Sequence, residues 1–156
     1  MAVRNLPDDY RIKVQHAGGA LSPRYSQLAS QKNISNPAWN WLGSVKRQRV
    51  QSLMNKSDLL VNSSRIEGAP NILFEAMSVG LPMLLSRIDG HVGIMGRDYR
   101  GYFEVGDTMG LRKLLLRATN DRSFRDGLSA NLRRTTKKWR SGNEKRSLLK
   151  AIDAGG

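Results

Sequence analysis

The sequence predicts an α/β fold, a doubly wound parallel sheet with helices on both faces. Short apolar runs of strand length alternate with helically spaced segments along the 156 residues, and glycine or proline separates many of them. The run at 81–86 is apolar without alternation, as expected for a parallel strand that is covered on both faces. Alternation of strand and helix is typical of parallel sheets, so we expect a single domain over 1–156.

The first half of the chain contains three predicted strands and two predicted helices. The first strand ends in Gly18-Gly19, and the second is stopped by Gly43. Val50, Leu53 and Met54 lie on one face of the second helix. The predicted strands are 11–17, 39–42 and 59–62, and the predicted helices are 23–32 and 45–56.

The second half continues the alternation. A helix over 71–79 ends at Gly80, and strands follow at 81–86 and 101–105. Asp107-Thr108 caps a helix whose leucines have helical spacing. Residues 121–150 form one or two basic helices, with an interruption predicted near Ser141-Gly142.

Composition excludes several kinds of site. The chain has no cysteine and two histidines far apart in sequence, His16 and His91, so neither a disulfide framework nor a metal site is indicated. The N-terminus does not resemble a signal peptide, and no apolar stretch approaches the roughly 20 residues needed to cross a bilayer. A soluble, cytoplasmic protein is the expectation.

The net charge of +13 is concentrated near the C-terminus. Residues 111–156 carry 13 basic and 4 acidic side chains, and such a surface attracts polyanions. The segment 132–140, which includes Trp139, suggests nucleic-acid binding or peripheral contact with an anionic membrane. A solvated basic helix face is favoured over both alternatives.

Two carboxylates, Glu67 and Glu75, flank the predicted junction between the third strand and the helix at 71–79. Ligands bind at such junctions in parallel α/β sheets, where a helix N-terminus offers free N–H groups. On a helical wheel, Glu75 lies opposite the face formed by Ile72, Leu73, Ala76 and Met77. Spacing alone favours a second interpretation, in which Glu75 is a solvated carboxylate and Glu67 helps the helix to start.

The run from Glu67 to Pro82 resembles the E-x7-E segment of retaining nucleotide-sugar glycosyltransferases with the GT-B architecture. The resemblance implies a Rossmann-like half-domain, a catalytic Glu67 beside the reacting carbon of the donor sugar, and Glu75 on the ribose hydroxyls. It also implies a nucleotide-sugar substrate, expected to be a UDP-sugar, with no cofactor and no divalent metal. The other donor-binding residues it suggests are Ser64, Gly68, Ala69, Pro70, Asn71 and Gly90.

The resemblance has two further implications. It covers the donor-binding half of such an enzyme, so an N-terminal Rossmann-like domain that holds the acceptor is missing, and the chain alone is expected to be inactive. In that architecture the last helices pack on the other domain, which would make Trp139 an anchor. The segments 86–93 and 99–107 are similar to the selenosugar-synthase branch, whose donor is a UDP-activated amino sugar. The resemblance places Asp89 in a glycine-rich loop after the fourth strand, and an ordinary turn is at least as well supported. His91 could reach the same crevice, but a structural or surface histidine is favoured.

Overall fold

The computed structural model describes residues 2–3, 12–20, 22–36, 38–67 and 70–153, and side chains within these ranges except those of 32–35 and 143–153. Strands and helices alternate as predicted up to the last two helices. The strands are β1 (Val14–Ala17), β2 (Trp39–Gly43), β3 (Leu60–Asn62), β4 (Met83–Ser86) and β5 (Tyr102–Phe103). The helices are α1 (Pro23–Ser35), α2 (Arg47–Asn55), α3 (Asn71–Val79), α4 (Asp89–Met95), α5 (Thr108–Asn120) and α6 (Arg122–Asp153).

All strand pairs of the described residues are parallel, which confirms the predicted fold class. The strands form two sheets, β1 with β2 and β3 with β4 and β5, rather than one continuous sheet. β1 exposes three of its four residues, Gln15, His16 and Ala17. It therefore lacks the apolar faces that hold a strand in the middle of a parallel sheet.

The core is built around β4. Its four residues are fully buried, so the strand is covered on both faces as its unbroken apolar run predicts. The buried side chains that α3 contributes are Leu73, Ala76 and Met77, and those of α6 include Phe124, Leu128 and Leu132. Fully burying an aliphatic or aromatic side chain of this size is worth about 1.5–3 kcal/mol, so these two helices are fixed by packing.

α3 has the bounds that the sequence predicts. Pro70 lies at the N-cap position, one residue earlier than the first helical position that its sequence context suggests. At the other end Gly80 adopts a left-handed conformation with φ of 72°. The N–H of Leu81 then reaches back to the carbonyl of Ala76 at 3.0 Å. Glycine adopts that conformation without a Cβ penalty, which is why the helix ends there.

Two predictions for the second half are wrong. α6 runs without a break through Ser141 and Gly142, because one interior glycine costs only about 1 kcal/mol relative to alanine. α4 occupies the segment in which Asp89 is expected to form a turn. It is seven residues long, too short to stand on propensity alone, and it is held by its buried residues His91 and Met95.

The predicted cap of α5 is confirmed, since Asp107 Oδ1 accepts the N–H of Gly110 at 2.8 Å. Among the described helices, none is both long and apolar enough to cross a bilayer.

Candidate functional site

The candidate site lies where β3, β4 and β5 end. Because these strands are parallel, their carboxyl ends meet at one edge of the sheet. The segment 63–67 leaves β3 at this edge and leads to the N-terminus of α3, while α4 starts just after β4. The N–H groups of the first turn of a helix point along its axis toward the N-terminal end and have no partner within the helix. The edge therefore combines loop side chains with the positive end of α3.

Glu67 lies at this edge in a defined polar environment. Ser64 Oγ donates to Glu67 Oε1 at 2.7 Å, and Asn62 Nδ2 donates to Oε2 at 3.4 Å. Asn62 also accepts the backbone N–H of Ser64 through Oδ1 at 2.9 Å, which shapes the turn after β3. The Glu67 side chain remains 29% exposed, so its carboxylate is held from one side and accessible from another.

His91 contacts the same carboxylate from α4. Its side chain is fully buried, its Nδ1 lies 2.7 Å from the carbonyl oxygen of Ser86, and its Nε2 lies 3.5 Å from Glu67 Oε2. The hydroxyl of Ser86 donates to the carbonyl of Ser64 at 2.5 Å. The end of β4, the loop after β3 and the start of α4 are thus joined around Glu67.

Sequence reasoning placed His91 in this crevice only as the less favoured alternative. The expectation of a surface histidine is wrong, and the alternative of a structural one omits its proximity to Glu67. In the sequence, the available signal was a histidine directly after Asp89-Gly90, at the same sheet edge as Glu67.

Glu75 lies on α3 in different surroundings. Its Oε1 pairs with Arg47 Nε of α2 at 3.2 Å, and the two side chains are 22% and 78% exposed respectively. Leu73 and Ala76, on either side of Glu75 in sequence, are buried, so Glu75 points away from the core as the helical wheel predicts. Glu75 is oriented by a surface ion pair, which holds it less firmly than the contacts of Glu67.

The remaining predicted site residues are distributed as follows. Pro70 is buried and Asn71 is exposed at the start of α3. Gly90 is half-buried in the first turn of α4 rather than in a loop. Gly68 and Ala69 lie outside the described residues. Ser64 is at the edge, but its hydroxyl is directed to Glu67.

Within the part of the chain that the structure describes, no group of three or more His, Asp or Glu side chains is placed to hold a metal ion.

The basic C-terminal segment forms an open groove against the end of α3. The groove measures about 430 Å³ and is lined by Met77, Gly80, Leu132, Arg133, Thr136, Lys137, Arg140 and Ser141; we call it the basic groove. Trp139 instead packs edge-on against Phe74, with ring centroids 5.3 Å apart, and donates to the carbonyl of Ile94 at 3.3 Å. It anchors α6 to α3 and α4, and is not free to stack on a base.

The model of the Glycosyl transferases group 1 family matches residues 1–139. The chain therefore belongs to this family, which confirms the predicted resemblance at the family level. A curated relative from Escherichia coli, UDP-Gal:alpha-D-GlcNAc-diphosphoundecaprenol alpha-1,3-galactosyltransferase, is 31% identical over 77 residues. That match covers 49% of this chain and 20% of the relative.

Solved structures share the fold. HepE of Anabaena in complex with UDP superposes with a TM-score of 0.74 at 17% identity, covering 96% of this chain and 43% of HepE. HepE in complex with UDP-glucose gives a TM-score of 0.71 at 18% identity, covering 88% of this chain and 38% of HepE. Sucrose-phosphate synthase from Thermosynechococcus elongatus gives 0.66 at 17% identity, covering 92% of this chain and 39% of that enzyme. The chain thus spans about two-fifths of the length of these structures.

Proposed function

We propose that this chain is the donor-binding domain of a retaining glycosyltransferase with the GT-B architecture, and that it holds a UDP-sugar at the carboxyl edge of β3, β4 and β5. The observation that carries the proposal is the partly exposed Glu67 carboxylate, which Ser64 holds at that edge. Family membership and a fold shared with a UDP-glucose complex of HepE support it.

In this proposal Glu67 acts on the donor sugar. Transfer of a glycosyl group passes through a state with positive charge on the sugar ring, which a nearby carboxylate stabilises. Ser64 and Asn62 donate hydrogen bonds to Glu67, and these hold both of its carboxylate oxygens in place. The carboxylate is thus ready to face developing positive charge.

The diphosphate is proposed to lie at the N-terminus of α3. Anions are stabilised at a helix N-terminus by N–H groups that lack a helical partner and by the helix dipole. The N–H of Leu73 is not one of these groups, because it donates to the carbonyl of Pro70 at 2.9 Å. The segment from Gly68 to Asn71 that the sequence assigns to this role leads into α3. As negative charge develops on the leaving diphosphate, the same N–H groups stabilise it.

Glu75 is proposed to accept hydrogen bonds from the ribose hydroxyls. It lies one turn into α3 and is still 22% exposed. Its pairing with Arg47, which is itself 78% exposed, is weak enough to be exchanged for a ligand.

We further propose that the 156 residues bind the donor but do not transfer it on their own. The chain matches 38–43% of the length of HepE, and the remainder of such an enzyme would supply the acceptor side. Turnover of a UDP-sugar by the isolated chain would contradict this part of the proposal.

Isothermal titration calorimetry tests the donor site. UDP, UDP-glucose, UDP-galactose and UDP-N-acetylglucosamine are titrated into the chain, with ADP-glucose as the comparison for the base. We expect binding of UDP and tighter binding of at least one UDP-sugar. A preference for the N-acetylated donor would support the selenosugar-synthase resemblance, and no binding of any uridine nucleotide would overturn the proposed function.

A second candidate function is peripheral attachment to an anionic membrane through the basic groove. Arg133, Lys137 and Arg140 line it beside the apolar side chains of Met77 and Leu132, a combination that suits a phosphate headgroup with adjoining acyl chains. Cosedimentation with phosphatidylglycerol vesicles, compared with phosphatidylcholine vesicles, tests this. Binding to the anionic vesicles alone would support this function if replacing Arg133, Lys137 and Arg140 together by alanine abolishes it. Equal binding to RNA of the same charge would argue against it.

A further inference from the structure

His91 is held in one orientation by its backbone neighbours. The ring is fully buried, and Nδ1 lies 2.7 Å from the carbonyl oxygen of Ser86. A carbonyl oxygen can only accept a hydrogen bond, so Nδ1 must carry a proton. This assigns the two ring nitrogens distinct roles and leaves Nε2 to face Glu67.

The Nε2 atom is buried, and no aligned hydrogen-bond partner is found for it among the described residues. Leaving a buried polar atom without a partner is unfavourable. Glu67 Oε2 lies 3.5 Å away. At this distance the edge of the buried ring limits where Oε2 can lie.

The backbone that carries His91 is also fixed. The hydroxyl of Tyr102 lies 3.1 Å from the carbonyl oxygens of both His91 and Gly96, and its single proton is shared between them. Burial raises the pKa of Tyr102 to about 12, although the nearby Arg87 opposes this. The phenol therefore keeps its proton and remains a donor, which ties β5 to both ends of α4.

We propose that His91 is a positioning residue for Glu67, resting on the proposed function of Glu67 toward the donor sugar. Ser64 holds Oε1 and His91 borders Oε2, so the carboxylate is confined from two sides. His91 does not need to touch the donor for this. It selects the plane of the carboxylate, and thereby the direction in which the remaining lone pairs face the sugar.

Two conservative variants separate this role from simple packing. In His91→Gln, the amide nitrogen replaces Nε2 and can donate to Glu67; in His91→Asn, it replaces Nδ1 and can donate to the Ser86 carbonyl. The measured quantity is discrimination, the affinity for the best UDP-sugar divided by the affinity for UDP. We expect His91→Gln to stay within about threefold of the native discrimination. We expect His91→Asn to lose roughly tenfold, the size of one interaction with a charged group, because the shorter side chain no longer reaches Oε2.

The melting temperatures of the two His91 variants and their affinities for UDP complete this comparison. The affinity for UDP alone should be the same in both variants, because UDP lacks the sugar. If Asn and Gln variants lose discrimination equally, or neither loses it, the positioning role is overturned and His91 is structural.

An NMR measurement keeps the proposal testable if the Asn variant does not fold. The ¹⁵N chemical shifts of His91 are compared between the native chain and Glu67→Gln, with Asp126→Asn as the control, a carboxylate on α6 that is paired with Arg122. A shift of several ppm at Nε2 in Glu67→Gln alone is expected, and an unchanged Nε2 shift would overturn the contact. Absence of UDP-sugar binding in the native chain would overturn the proposed function. The NMR result does not depend on that binding, and it tests the contact between His91 Nε2 and Glu67 by itself.

Discussion

Glu67 and Glu75 are the same residue type, eight positions apart and similarly exposed at 29% and 22%, yet they are held in different ways. Glu67 contacts side chains from β3, from the loop that follows it and from α4. Glu75 is paired with a mostly exposed arginine of α2. The difference indicates that Glu67 is preorganised, whereas Glu75 can exchange its partner.

The energies support this distinction. Hydrogen bonds to a charged group contribute roughly 1.5–3 kcal/mol each, and partly buried ones are little screened by salt. A surface ion pair contributes a median of about 0–1 kcal/mol. A preorganised carboxylate suits the reacting sugar, where its position matters, and an exchangeable one suits a ribose that must enter and leave.

The largest effect is expected for Glu67→Gln. It should reduce the affinity for the best UDP-sugar by roughly tenfold to a hundredfold, as expected for a lost hydrogen bond to a charged group, and leave the affinity for UDP unchanged. Calorimetry with the two ligands measures both. Asp126→Asn removes a carboxylate of α6 and serves as the matched control.

A fall in UDP affinity of the same size would contradict the assignment of Glu67 to the sugar. Loss of binding through unfolding would appear as a lower melting temperature. The melting temperatures of the variant and the control therefore test for this cause.

Glu75→Gln is expected to have the next largest effect. It should weaken UDP and every UDP-sugar by the same factor, about tenfold, because the ribose is common to all of them. The decisive ligand is 2′-deoxy-UDP. If Glu75 contacts the 2′-hydroxyl, this analogue should bind the native chain and the variant with nearly equal affinity. If Glu75→Gln still weakens binding of the analogue about tenfold, Glu75 does not contact the 2′-hydroxyl.

Sequence reasoning predicted the parts of this comparison that depend on local signals. The bounds of α3 follow from Pro70, Gly80 and an apolar face over about two turns. The exposure of Glu75 follows from the same helical period. The complete burial of β4 follows from an apolar run without alternation. Each of these signals lies within the element that it predicts.

The contacts of Glu67 could not be predicted in this way. Its neighbour His91 lies on α4, a seven-residue helix with glycine at two positions that gives no periodic signal of its own. The helix forms because His91 and Met95 are buried against the rest of the fold. A contact between residues 67 and 91 depends on that tertiary packing and on the parallel pairing of β3 with β4. The break predicted in α6 failed for a different reason, since one interior glycine costs a helix only about 1 kcal/mol.

Ser64→Ala should have an intermediate effect that sharpens the role of Glu67. It removes the 2.7 Å hydrogen bond to Oε1 but leaves the carboxylate itself. We expect a loss of UDP-sugar affinity of about two- to tenfold, as for one net hydrogen bond, with UDP unaffected. Calorimetry with the Ser64→Ala and Glu67→Gln double variant gives the coupling between them. Additive losses would mean that Ser64 contacts the donor directly rather than through Glu67.

The smallest effect is expected for Arg47→Ala, and its sign tests whether the partner of Glu75 is exchangeable. Removing an exposed pair should change the free energy of unfolding by less than about 1 kcal/mol. If Arg47 competes with the ribose for Glu75, UDP should bind up to about twofold more tightly at low salt, and the difference should vanish at high salt because the pair is then screened. Titrations of native and variant chains at two ionic strengths measure this. Weaker UDP binding by the variant would show instead that Arg47 supports the bound nucleotide, and that Glu75 is positioned by its neighbour much as Glu67 is.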